Sequence, residues 1–198
     1  MPDRKDRFYY LAKKDNFRSR AAFKLMEIDK RFHMLSIDDF VLEFGSSPGG
    51  WTQYVRSITS NPIVSIDLSP MEPIENVHFI RGDLMNPDFD SILRENLNRI
   101  GITNFTVVLS DAMVHTSGNR GRDHASSYLL DERIMNISMR YLRPGGNVIL
   151  KQFYGDLTKT FLKKWEEQFR YSGMTTPEAS RRGSSEIYIV FKGKIHDS

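Results

Sequence analysis

One early break, from a short apolar run into a glycine-rich turn, limits the fold of this chain more than any other feature. Phe40–Phe44 (F-V-L-E-F) is long enough for a buried strand and too short for a helix. It ends at Gly45, and G-S-S-P-G-G-W leads straight into a stretch that reads as a helix over 50–58. A strand turning sharply into a helix is the opening unit of an α/β domain, because the helix returns the chain to start a parallel neighbour.

The remaining periodicities agree. Ala21, Ala22, Leu25, Met26, Ile28 and Phe32 recur at helical spacing and predict a helix over 18–32. Strands are expected at 63–66, 77–80, 105–109, 148–153 and 186–191, and helices at 90–100, 128–142 and 158–169. Pro144-Gly145-Gly146 should stop the longest helix. F-T-V-V-L at 105–109 is nearly all apolar, as a strand covered on both faces must be. The expectation is a single α/β domain over 18–198, its mostly parallel sheet flanked by helices on both faces, behind a basic arm over 1–17.

Charge is unevenly placed. Residues 1–24 hold eight Lys or Arg against three Asp, a net +5, while the whole chain carries +3. Phe8, Tyr9, Tyr10 and Phe17 are interleaved with these cations. Such an arm suits a nucleic-acid backbone and unstacked bases, and a solvated terminus is the alternative. Cysteine is absent, which excludes disulfides and thiolate metal sites. The five His show no ligand spacing, so no metal is expected. No secretory h-region or membrane-length apolar run is visible, so a cytoplasmic, monomeric protein away from membranes is expected.

Ligands of doubly wound sheets bind beyond the carboxyl ends of the strands. Gly45 follows the first expected strand, Asp67 ends the second, Asp83 follows the third, Asp111 follows the fourth, and Lys151 lies inside the fifth. The glycine loop lacks the Gly-Lys-Ser/Thr ending that cradles a triphosphate, and Ser47 replaces the second glycine of the dinucleotide fingerprint. Asp67, 22 positions after Gly45, is placed to hold ribose hydroxyls, and Asp83 to accept from an adenine amino group. An adenosine without a pyrophosphate suits these pieces, and S-adenosylmethionine is the candidate cofactor. Its candidate contacts are Glu43, Gly45, Pro48, Gly49, Gly50, Trp51, Asp67, Leu68, Asp83, Leu84 and Asp111.

Four motifs then carry a resemblance over about 18–192. R-S-R-A-A-F-K-L, E-F-G-S-S-P-G-G-W-T-Q, V-V-L-S-D-A and S-S-E-I-Y-I-V, in that order, resemble the FtsJ/RrmJ-type ribosomal RNA 2′-O-ribose methyltransferases. V-I-L-K-Q-F falls between the last two. The resemblance implies a Rossmann-like methyltransferase fold with a seven-stranded, mostly parallel sheet. It also implies a Lys-Asp-Lys-Glu catalytic tetrad on Lys24, Asp111, Lys151 and Glu186. The implied substrate is a uridine of large-subunit rRNA, met in the assembled subunit. The chain departs from the family pattern at Glu43, where Asp is usual. It reads A-M-V-H-T-S-G rather than M-A-P-N-x-S-G after Asp111, and has Ser126 where Arg is common.

A ribose hydroxyl must lose its proton as it attacks a methyl group, so an amine that accepts it must be neutral. Burial of Lys151 and the charge of Lys24 favour the neutral form, whereas Asp111 and Glu186 favour the charged one. Lys151 can therefore act as base or as a steering group that aligns the hydroxyl. A tRNA or mRNA-cap ribose methyltransferase shares these features. So does a catalytically silent RNA-binding assembly factor. T-S-G-N-R-G-R, with Arg120 and Arg122 between His115 and His124, is expected to be an RNA-facing loop.

Overall fold

In the computed structural model, which describes residues 7–114, 117–181 and 183–196, the chain alternates between helices and strands of one sheet. The elements are α1 (Arg7–Lys14), α2 (Ala21–Phe32), β1 (Val41–Phe44), α3 (Gly50–Arg56), β2 (Ile63–Asp67), β3 (Val77–Arg81) and α4 (Phe89–Ile100). They continue with β4 (Phe105–Ser110), α5 (Arg120–Tyr141), β5 (Leu142–Phe153), α6 (Thr158–Glu166), β6 (Phe169–Thr175) and β7 (Glu186–Lys194). The sheet order is β3-β2-β1-β4-β5-β7-β6. β1 to β5 run parallel, and β7 lies antiparallel between β5 and β6.

Alternation along each central strand sends side chains to two cores. Leu42, Phe44, Val108 and Leu150 pack under α4, α5 and α6 through Leu93, Ile134 and Phe161. Val41, Val107, Ile149 and Val190 pack under α2 and α3 through Leu25, Ile28, Trp51 and Val55. Each such side chain, fully buried, contributes about 1.5–3 kcal/mol of apolar transfer, which is why these core positions are apolar. The chain leaves β1 outward to β2 and β3 and returns to β4, so the sheet reverses direction between β1 and β4. That reversal opens a crevice at the carboxyl ends of the two strands.

Four segments differ from the periodicity. The arm over 7–14 is a helix, in which Ala12 is buried and Phe8 packs on Phe23, with Phe17 on the same ring. Two of the four aromatics expected to face RNA therefore join the domain. α5 starts at Arg120 instead of 128, because the Asn119 side chain accepts from Arg122 N and Asp123 accepts from Ser117 N and Gly118 N. The last three residues of the expected T-S-G-N-R-G-R loop, 120–122, are thus the first turn of a helix. His124 is buried, its ring joining Phe153 O at 2.7 Å and accepting from Leu157 N at 3.0 Å. His115 lies outside the described residues, as do Arg4 and Lys5. β5 begins at Leu142, and Arg143–Gly146 bulge out of its ladder with β4. Finally, β6 occupies 169–175 as an edge strand that no alternation announced.

Candidate active site

The crevice between β1 and β4 depends on one glycine. Gly45 has φ +73°, and a Cβ there would sit 2.3 Å from Ala112 N, so only glycine lets the loop after β1 touch the loop after β4. Gly49, at φ +111°, then turns the chain into α3. Beside this turn lies a cavity of about 500 Å³, walled by Gly45, Ser47, Asp67, Leu68, Asp83, Leu84, Met85, Asp111, Met113 and Lys151, among others.

The expected cofactor residues divide into two sets. Gly45, Asp67, Leu68, Asp83, Leu84 and Asp111 line the cavity. Pro48, Gly49, Gly50, Trp51 and Glu43 do not line it. Asp67 holds the glycine turn, accepting from Ser47 N at 2.8 Å and from Ser69 N at 2.7 Å. Each of its oxygens keeps a lone pair for a ligand. Asp83 accepts from Met85 N at 2.9 Å through Oδ1 alone. Trp51 donates to Ala21 O at 2.8 Å and lies 5.8 Å from the Tyr188 ring, wedging α3 against α2 and β7.

Glu43 is fully buried beneath the turn. One oxygen accepts from Thr52 Oγ1 at 2.6 Å and Ser65 Oγ at 3.1 Å, and the other has no partner among the described residues. Burial pushes its carboxyl up to about 7, against the pull of those two hydroxyls and with help from the charges of Asp111 and Asp67.

The four tetrad residues meet at the carboxyl end of β4 and β5, on the α2 side of the sheet. Lys151 and Tyr188 face each other across the β5–β7 ladder, and Glu186, two residues along β7, shares their face. Lys24 reaches them from the first turns of α2. Lys151 Nζ donates to Asp111 O at 2.6 Å and pairs with Asp111 Oδ1 at 3.1 Å. Lys24 Nζ pairs with Glu186 Oε1. The two ammonium groups are nearly buried, with side chains 7% and 9% exposed, so each depends on its carboxylate.

Tyr188 joins the two pairs, and sequence reasoning passed over it. Its hydroxyl accepts from Lys24 Nζ at 3.1 Å and lies 2.6 Å from Glu186 Oε1 and 3.0 Å from Asp111 Oδ1. One phenol proton serves one carboxylate at a time, so the hydroxyl is a shared donor. Burial, then the charges of Asp111 and Glu186, raise Tyr188 far above the ordinary tyrosine range and keep it protonated. Burial also pushes Glu186 up, but Lys24, Tyr188 and Lys151 outweigh it and leave the carboxyl below its usual range. The missed signal was a phenol in the apolar run I-Y-I-V, two positions from Glu186 and so on the same face.

Arg18 is a second omission. Its guanidinium donates to Glu72 O at 2.6 Å, Pro73 O at 3.0 Å and Pro48 O at 3.3 Å, tying the loop after β2 to the glycine turn. Among the described residues no group of three or more acids and histidines is placed to hold a metal ion, and no helix is long and apolar enough to cross a membrane.

Known proteins show the same arrangement of chain. The family model described as FtsJ-like methyltransferase matches residues 17–194. A "Ribosomal RNA large subunit methyltransferase E" of Picrophilus torridus is 47% identical over 98% of this chain and 100% of that one. Its namesake in Thermoplasma acidophilum is 44% identical over 96% of this chain and 93% of that one. Among solved structures, a ribosomal RNA methyltransferase from Plasmodium falciparum superposes with TM-score 0.80 at 30% identity, covering 90% of this chain and 99% of that one. A Streptococcus mutans protein in complex with SAH shares the fold at TM-score 0.55 and 10% identity, over 85% of this chain and 96% of that one. Matched from α2 through β7, the chain belongs to the FtsJ-like methyltransferase family.

Proposed function

We propose that this protein transfers the methyl group of S-adenosylmethionine to a ribose 2′-hydroxyl of RNA, the target being a uridine of large-subunit rRNA in the assembled subunit. The observation that carries the reading is the Lys151–Asp111 pair in the cavity wall, linked through Tyr188 to Lys24 and Glu186. The names of the relatives supply the large subunit as the substrate to test.

The cavity suits an adenosine that carries no phosphate. Two carboxylates with open acceptor sites, Asp67 and Asp83, stand on neighbouring loops, where hydroxyl and amino donors of a nucleoside can meet them. Leu68, Leu84, Met85 and Met113 give flat apolar walls, and Lys151 is the one cation in the described lining. The methyl donor would supply an electrophilic carbon on a positively charged sulfur, and breaking that carbon–sulfur bond would release a neutral thioether. The protein does the rest. Two acceptors on Asp111 fix Lys151 Nζ, leaving one of its directions for the incoming hydroxyl. In the neutral form the amine takes the hydroxyl proton through its lone pair as the oxygen attacks. Asp111 anchors Lys151, while Glu186 and Tyr188 hold Lys24 in place as a second cation beside the alkoxide that develops.

The test is transfer of labelled methyl to large ribosomal subunits, free large-subunit rRNA and tRNA, with Lys151→Ala alongside. Label in large-subunit rRNA that the variant abolishes supports the reading. Label in tRNA alone moves the substrate, and label in rRNA unaffected by the variant removes Lys151 from the chemistry.

A further inference from the structure

At the far end of β5 and β7 from the active site lies a second basin of about 610 Å³, which the methyl-transfer reading does not use. Its described lining includes Arg31, Arg170 and Lys192 and contains no Asp or Glu. Phe32 and Tyr171 form an aromatic floor, their rings 6.2 Å apart and tilted by 43°. We infer that this basin binds a second segment of the RNA, one phosphodiester with an unstacked base, and so anchors the strand away from the methylated ribose. The inference rests on the RNA reading of the active site.

Each component is held in place. Arg31 donates to Thr175 Oγ1 at 3.0 Å and lies 5.1 Å from the Phe32 ring centre, so its guanidinium is fixed before any ligand arrives. The Arg170 side chain lies across Gly193, where φ is +69° and a Cβ would stand 3.2 Å from Arg170 Cδ. Lys192 spends one N–H on Phe32 O and keeps two donors. Gly145, at φ +79°, has open space where a side chain would stand, which leaves the backbone on this rim bare for close approach. Tyr171 is 46% exposed although it belongs to a strand, which leaves ring surface open to a ligand.

A cation in the last turn of a helix often serves only the helix dipole. That accounts for Arg31 at the end of α2, but Arg170 and Lys192 are on β6 and β7 and converge on the same space. Three cations with no described acid, lining the same basin as two aromatic rings, match the two chemistries that every nucleotide offers: a negative phosphate and a flat base. A protein partner would need acids to match the three cations. The geometry also places the basin within reach of the active site. Asn147 in the basin and Lys151 are four residues apart on β5, about 13 Å. Lys24 and Arg31 are seven residues apart on α2, about 10 Å. One single strand spans that distance.

The experiment is equilibrium binding of a fluorescent oligouridylate to the full chain across a salt series. It compares wild type, Arg170→Glu, Tyr171→Ala, the double variant and Arg170→Lys. Affinity should fall about tenfold for Tyr171→Ala, and the salt slope should drop by about one for Arg170→Glu. Arg170→Lys should recover the slope. Unchanged S-adenosylmethionine affinity and melting temperature show that the variants fold. Affinity and slope equal to wild type in the double variant overturn the inference, as does a wild type with no affinity for the oligouridylate. Methyl transfer to large subunits is read separately. Transfer that persists beside unaltered binding removes the basin and keeps the methyltransferase reading. Binding lost in the double variant, with no transfer by wild type to any RNA, keeps the basin and removes that reading.

Discussion

Replacing Glu43 by Gln should make the protein more stable, and only above a defined pH. Glu43 is sealed under the glycine turn, with hydroxyls on one oxygen and nothing on the other among the described residues. Burial raises its carboxyl from 4.5 in the open chain to about 7 in the fold. A folded value above the unfolded one means that the native state holds the proton more tightly. The stability this provides is complete below about pH 4.5 and is lost as pH rises to about 7. At about 1.36 kcal/mol per pH unit, a rise of that size removes about 3 kcal/mol. Glutamine has nearly the shape of the protonated acid, and its carbonyl can accept from both hydroxyls. Denaturant melts followed by the fluorescence of Trp51 and Trp165 at a series of pH values would give the difference between variant and wild type. That difference should be near zero at pH 4.5 and grow to about 3 kcal/mol in favour of the variant by pH 8. A difference that stays flat across this range would refute the reasoning, because it would mean that burial does not hold the proton on Glu43.

Gly45→Ala should abolish S-adenosylmethionine binding, measured by calorimetry, because the new Cβ lands on Ala112 N and φ is positive; backbone strain alone costs about 1–3 kcal/mol. Lys24→Met should destabilise the fold by about 3 kcal/mol at neutral pH by stranding Glu186. That loss should shrink as acid protonates the carboxylate, and equal losses at pH 4 and pH 8 would contradict the pairing. Tyr188→Phe keeps the ring against Trp51 but removes the shared hydroxyl, so a chemical melt should show a loss of about 1–2 kcal/mol.

What the sequence disclosed was whatever is local. Val41–Phe44, the turn at Gly45 and the helix from Gly50 are neighbours in the chain, and the central strands announced themselves by having no polar face. Asp67, Asp83 and Asp111 followed from strand ends, since a parallel sheet puts all those ends on one side. Edges and partners were harder. β6 buries only Phe169 among its seven residues and carries no alternation. α1 looked like a solvated arm because Phe23, the ring that Phe8 and Phe17 cover, is on another element. The start of α5 is set by two side chains, Asn119 and Asp123, in a stretch whose glycines argued for a loop. Tyr188 went unnoticed for a related reason. A tyrosine in an apolar strand is ordinary core until three charged groups from α2, β7 and the loop after β4 are seen around its hydroxyl.

The central claim is that Lys151 and its partners deliver a ribose hydroxyl, and the position of the methyl group tests it most directly. RNA labelled by wild type and by Lys151→Ala would be hydrolysed in alkali and its products separated. Methylation of the 2′-oxygen blocks cleavage at that nucleotide, so wild-type label should appear in an alkali-resistant dinucleotide and be missing with the variant. Label released in ordinary mononucleotides would place the methyl on a base and contradict the account.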